Sequence, residues 1–228
     1  MKNAMIFGDS HVGALKRGLD SLLDRGLWAS DWTLRVVPLC RGGRMLTPFF
    51  QAGERSISFT GFSDRIPPQQ ETAIYGFSGN AHTTRVLRDI NWSAHAPAAV
   101  AQGEAPISAA MLREMFWYDQ RYMLLLLDSM KRLGLPVFVV EAPHLFRHNS
   151  VFAKARSEVL LHVDRAYRAY FKEELAKRDV RLVAVPSSCL DEDGFMLDTY
   201  RNPNPRDNHH ANGLFGEVMI GEILAHLQ

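Results

Sequence analysis

Cysteine is scarce. Only Cys40 and Cys189 occur in 228 residues, too few and too far apart for a zinc spacing or a disulfide framework, so a reducing cytoplasm is the expected compartment. An excess of charge of either sign is also lacking: 26 Lys and Arg stand against 25 Asp and Glu. That balance leaves no basic footprint for nucleic acid or an anionic membrane surface, and neither is an expected partner. The apolar run from Tyr122 to Leu127 is flanked by Arg121 and Asp128 and is too short to span a bilayer; it reads as a buried helix face. The sequence shows no internal repeat and no low-complexity tract. Its N-terminus runs Met-Lys-Asn-Ala-Met-Ile-Phe straight into a Gly-Asp-Ser turn, and secretion by a signal peptide is not expected.

What is present is an ordinary globular composition, 46% hydrophobic and 22% charged, at a length that buries one substantial core. A single domain over residues 1–228 is therefore expected. Asn3 to Phe7 reads as a strand ending at Gly8, and Val12 to Leu23 as a helix with Leu15, Leu19 and Leu22 on one face. Trp32 to Leu39 is a second strand and Ala73 to Phe77 a third; between them, about 47–70 is an irregular insertion, suited to a substrate-covering loop or a small hairpin. A helix over Ser108 to Leu133 stops at Gly134, and strand Val137 to Val140 follows Pro136. A helix from about Val151 to Arg178, a fifth strand at Arg181 to Val185 and a closing helix at Gly213 to Leu227 complete the pattern. Strands alternating with helices argue for an α/β fold with a mostly parallel five-stranded sheet.

Four segments carry residues suited to chemistry. Gly8-Asp9-Ser10-His11 stands where the first strand hands over to the first helix, so Ser10 has backbone N–H groups and a positive helix dipole beside it. Asp9 and Ser10 are equally ordinary helix caps. In Asp207-Asn208-His209-His210, an aspartate three residues before a histidine can orient the imidazole and leave its other nitrogen as general base; a plain turn with solvated histidines is the alternative. Ser78-Gly79-Asn80 with His82, and the Gly42-Gly43 turn, supply an amide side chain and backbone N–H groups suited to an oxyanion, or simple turn chemistry.

Taken in order, Gly8-Asp9-Ser10 near the N-terminus, a glycine after the second strand, an asparagine after the third and Asp207-x-x-His210 before the last helix resemble the four blocks of the SGNH/GDSL hydrolases, across almost the whole chain. The resemblance implies a flavodoxin-like three-layer α/β/α sandwich. It implies Ser10 as nucleophile and oxyanion donor, Gly43 or Gly42 as second donor, Asn80 as third, His210 as base and Asp207 as its orienter. Two departures stand out: His11 occupies a position where leucine is common, and the third block reads Ser78-Gly79-Asn80-Ala81 instead of Gly-x-Asn-Asp.

His11, Arg44, His82 and His144 are further candidates for lining the pocket. A metal centre built from His82, His209, His210 and Asp207 lacks a helical histidine pair or a zinc-like spacing, so neither metal nor cofactor is expected. The expected partner is a small-molecule or carbohydrate acyl ester, cleaved through an acyl-enzyme. Acyl transfer to an alcohol uses the same triad, and a catalytically silent binding domain would share only the fold.

Overall fold

A computed structural model describes residues 2–39, 42–60, 65–66, 73–78, 91–153 and 155–228. Strand β1 (Lys2–Gly8) sends alternate side chains to opposite faces: Ala4 and Ile6 enter one core, Met5 and Phe7 the other. The chain turns into helix α1 (Val12–Asp24) and returns as β2 (Trp32–Pro38). A 3₁₀ turn at Gly42–Leu46 leads to three short antiparallel strands, β3 (Phe50–Ala52), β4 (Ile57–Phe59) and β5 (Arg65–Ile66). Strand β6 (Ala73–Ser78) precedes helices α2 (Ala96–Ala101) and α3 (Ala109–Arg132), and β7 (Val137–Val140), helix α4 (Ser157–Lys177), β8 (Arg181–Val183) and helix α5 (Gly213–Leu227) follow.

The main sheet has the order β2-β1-β6-β7-β8 with every neighbour parallel. Helices α1 and α5 cover one face, where Leu15, Leu19, Phe215, Met219 and Ile223 meet Ile6, Leu34 and Phe138. On the other face Leu126 and Leu127 of α3 and Val159 and Val163 of α4 meet Phe7, Phe77 and Val139. This is the expected three-layer α/β/α sandwich with a five-stranded sheet. In such an order the connections diverge from β1, and the crevice beyond the carboxyl ends of the strands on either side of that switch point is where ligands bind. Gly8 marks that edge, paired with Pro38 on one side and Ser78 on the other.

Most boundaries agree with the sequence expectation to within a residue or two, and three differ for local reasons. Helix α4 starts at Ser157, not Val151, because Asn149 captures the chain first: its Oδ1 accepts the Val151 N–H at 3.0 Å and its carbonyl the Phe152 N–H, forming a 3₁₀ turn at Ser150–Ala153. Strand β8 ends two residues early because the Val185 N–H turns to the Glu141 carboxylate at 2.8 Å. In the insertion at 47–70, the described strands have two or three residues each, too short to show a period in sequence. Its aromatic residues are structural: Phe49 and Phe59 are buried, and the Phe59 ring lies 5.3 Å from Phe7 and 6.3 Å from Phe77. Among the described residues no helix is long and apolar enough to cross a membrane.

Candidate active site

The turn after β1 is closed by its own aspartate. Asp9 is fully buried, its Oδ1 accepts the His11 N–H at 2.9 Å, and its carbonyl accepts the Val12 N–H at 3.2 Å. The short Asx turn leads directly into α1 and leaves Ser10 exposed at the helix start. Among the described residues no acceptor takes the Ser10 N–H.

The loop before α5 is held from several sides. The Asn212 N–H donates to Tyr200 O at 2.8 Å and the Asn202 N–H to His210 O at 3.2 Å, while Arg17 of α1 reaches Ala211 O at 2.8 Å. Asn212 then caps α5, its Oδ1 accepting the Phe215 N–H at 3.2 Å. Within this frame His210 Nδ1 lies 2.9 and 3.0 Å from the two Asp207 carboxylate oxygens. An ionised carboxylate only accepts, so in the neutral imidazole the proton sits on Nδ1 and Nε2 carries the lone pair. That Nε2 lies 2.8 Å from Ser10 Oγ, 200 residues away in sequence. Asn202 Nδ2 donates to the other side of Asp207, on Oδ2, at 2.9 Å. Burial opposes ionisation of Asp207, yet the His210 amide and ring, with His209, hold its carboxyl below the usual carboxylate value.

Two glycines bring these remote turns together. A β-carbon on Gly216 of α5 would lie 1.9 Å from Ala14 O of α1, and one on Gly18 would lie 2.3 Å from Glu217 N. The helices therefore touch backbone to backbone, closer than side chains allow. Around the contact, Glu217 accepts from Ser21 Oγ at 2.8 Å and from Arg25 at 2.6 Å. Because Ser10 precedes α1 and His210 precedes α5, this contact sets the distance between them.

No protein-family model matches the chain, and no curated protein sequence matches it either. Solved structures do. An acetyl xylan esterase aligns over 99% of this chain and 100% of its own at 10% identity and a TM-score of 0.51. A GDSL-like lipase from Bacteroides thetaiotaomicron covers 100% and 89% at 11% identity, TM-score 0.50. An SGNH-hydrolase candidate from Slackia heliotrinireducens covers 100% and 99% at 12% identity, TM-score 0.51. The chain has the SGNH-hydrolase fold.

On that SGNH fold the remaining candidates fall as follows. Gly43 is exposed in the 3₁₀ turn, and a β-carbon there would meet nothing within 4 Å. That turn starts three residues after Leu39, whose N–H bonds to Gly8 O at 2.7 Å beside the end of β1. Arg44 is exposed and its carbonyl accepts from Thr47. Asn80 and His82 lie outside the described residues, as does Cys40, whereas Cys189 is a buried free thiol. The His11 ring centre is 4.9 Å from that of His210 and 6.1 Å from that of His209. Burial, followed by the charges of His210 and His209, pushes the His11 imidazole down to about 3, so it is neutral at physiological pH. Its Nδ1 is enclosed, with no hydrogen-bond partner among the described residues.

His144 has other neighbours. Its ring nitrogens lie 3.9 Å from Glu141 and 3.8 Å from Asp164, in an ion cluster around Arg168. That arginine donates to Asp164 at 2.8 Å, to Glu141 at 2.9 Å and to the carbonyls of Ala142 and Pro143 at 3.1 Å each. Burial would raise the Glu141 carboxyl, but His144, Arg168 and the Val185 N–H bring it down to about 2 from an ordinary 4.5. A carboxyl depressed in the folded state stabilises above its unfolded value and loses that contribution as pH falls through the folded one. Glu141→Gln should therefore cost on the order of 3 kcal/mol at pH 7. Its deficit relative to wild type should shrink between pH 4.5 and 2, as urea unfolding at several pH values would show. A constant deficit across that window would remove the charge from the explanation.

Sequence reasoning singled out neither Asn202, Arg17, Gly18, Gly216 nor Arg168. Arg17, Gly18 and Gly216 act through partners far along the chain, and Asn202 through the fold of its own loop around Asp207; no local pattern reveals either. Arg168 left a signal: a charge on a helix between the buried Tyr167 and Phe171, where a cation needs acidic partners.

Proposed function

We propose that the protein is a serine hydrolase that cleaves a small acyl ester through an acyl-enzyme on Ser10. The observation that carries this reading is the unbroken relay from Ser10 Oγ to His210 Nε2 at 2.8 Å and from His210 Nδ1 to Asp207 at 2.9 Å. His210 takes the Ser10 proton as Oγ attacks the acyl carbon, and Asp207 holds the resulting imidazolium. The same proton passes to the leaving alcohol oxygen, releasing the alcohol and leaving Ser10 acylated. His210 next takes a proton from water, whose oxygen attacks the acyl carbon; the proton returns to Ser10 Oγ and the acid departs.

The oxyanion formed at each stage needs donors already aimed at it. The Ser10 N–H, the Gly43 N–H and the Asn80 amide are the proposed three. Asn80→Ala should lower kcat by roughly 10²- to 10³-fold with a smaller change in KM. A variant with lowered thermal stability and near-normal kcat would take Asn80 out of the site.

An O-acetyl group on a carbohydrate is the proposed substrate class, in keeping with the acetyl xylan esterase among the structures that share the fold. Intact-mass analysis after treatment with a serine-directed fluorophosphonate tests the nucleophile: one adduct on wild type and none on Ser10→Ala is expected. An unmodified wild-type chain would overturn the reading. Acetate release from acetylated xylo-oligosaccharides then tests the substrate class.

A further inference from the structure

The loop that carries the base holds a third group that the relay does not use. His209 Nδ1 lies 3.5 Å from Asp207 Oδ1, the oxygen that also stands 2.9 Å from His210 Nδ1. One donor atom from each of the three residues lies within 4.8 Å of the other two. Zinc bonds of about 2.0–2.1 Å in tetrahedral geometry separate neighbouring ligands by roughly 3.3 Å, a spacing that these two distances bracket. The carboxylate is held on both oxygens: Oδ2 accepts from Asn202 Nδ2 at 2.9 Å and stands 3.0 Å from His210 Nδ1, while Oδ1, which faces both histidine rings, accepts the His210 N–H at 3.2 Å, so its orientation is fixed as that of a ligating carboxylate is. The His209 side chain is 52% exposed, against 21% for His210 and 22% for Asp207, so an ion can enter from solvent along it.

We propose that Asp207 Oδ1, His209 Nδ1 and His210 Nδ1 form a three-ligand site for a divalent transition-metal ion such as Zn²⁺, and that filling it switches the triad off. In the working triad the single proton of neutral His210 sits on Nδ1. The ion takes the lone pair at Nδ1, and that proton is released to solvent while another is taken up at Nε2, so the ring stays neutral and no net proton is exchanged. His210 then presents an N–H to Ser10 Oγ where a lone pair is required, and no group remains to accept the hydroxyl proton. The metal site stands on the geometry alone; only its inhibitory effect rests on the hydrolase reading.

The test titrates Zn²⁺ into wild type and His209→Ala, following binding by competition with a chromogenic chelator and turnover with p-nitrophenyl acetate. Wild type should bind one ion, lose turnover in parallel and recover with EDTA. His209→Ala should turn over within a few-fold of wild type without zinc, and should need at least about 10-fold more zinc for half-binding and half-inhibition. Nitrogen-15 spectra of the wild-type zinc form should show the His210 proton on Nε2. Equal zinc affinity in the two proteins, or a filled site with turnover intact, would overturn the proposal. Should neither protein hydrolyse any ester, the hydrolase reading fails, while chelator competition still decides the metal site.

Discussion

Replacing Ser10 with alanine is expected to lower turnover of a short acyl ester roughly 10⁴- to 10⁶-fold while the protein stays folded. Only an exposed hydroxyl is lost: the turn is closed by Asp9 and the backbone of α1, and neither uses Ser10 Oγ. His210→Ala should be comparably damaging, since without a base the serine is a poorly reactive alcohol at neutral pH. Combining the two should cost little more than either alone, because members of one relay act as a unit. His209→Ala is the control. If it is the inactive protein and His210→Ala is active, the base has been placed one residue out; if a folded Ser10→Ala enzyme turns over normally, Ser10 is not the nucleophile.

The second large effect is expected at Gly216. Alanine there puts its β-carbon 1.9 Å from the Ala14 carbonyl oxygen and 2.6 Å from its carbon, overlaps that no rotamer change relieves because the obstacle is backbone. Helices α1 and α5 must part, which should cost about 3 kcal/mol or more and draw His210 away from Ser10. Loss of fluorophosphonate labelling should therefore accompany the fall in Tm. Gly221→Ala in the same helix provides the contrast: it is exposed and its new β-carbon would meet nothing within 4 Å. Ordinary helix propensity should there raise stability by about 0.5–1 kcal/mol. If Gly216→Ala instead behaves like Gly221→Ala, the close helix contact is not what aligns the triad.

The sequence carries the frame of this molecule clearly and its long-range joints poorly. Val137–Val140 and Gly213–Leu227 are legible to the residue, since a continuous apolar run or a glycine start is a local signal. Ser10, Asp207 and His210 are legible as chemistry because each lies where a strand or loop meets a helix, and the structure brings the three together. By contrast, the role of Gly216 depends on Ala14, and that of Asn202 on the fold of its loop around Asp207. The strands of the insertion escape for a different reason: two or three residues hold too little pattern to read, and their stability comes from Phe49 and Phe59 entering the core beside Phe7.

The contact of α1 with α5 also governs when the contact of Ser10 with His210 can form. Ser10 leaves the ribosome well before its proposed base, which follows 200 residues later in the chain. The sheet and the helices of its far face can form meanwhile, but the relay cannot exist until α5 docks on α1. Joining segments so distant in sequence carries a loop-closure cost that must be met before the contacts reward it. A nascent or truncated chain lacking α5 would thus carry Ser10 without its His210 partner, and its apolar α1 face would be open to aggregation until α5 arrives.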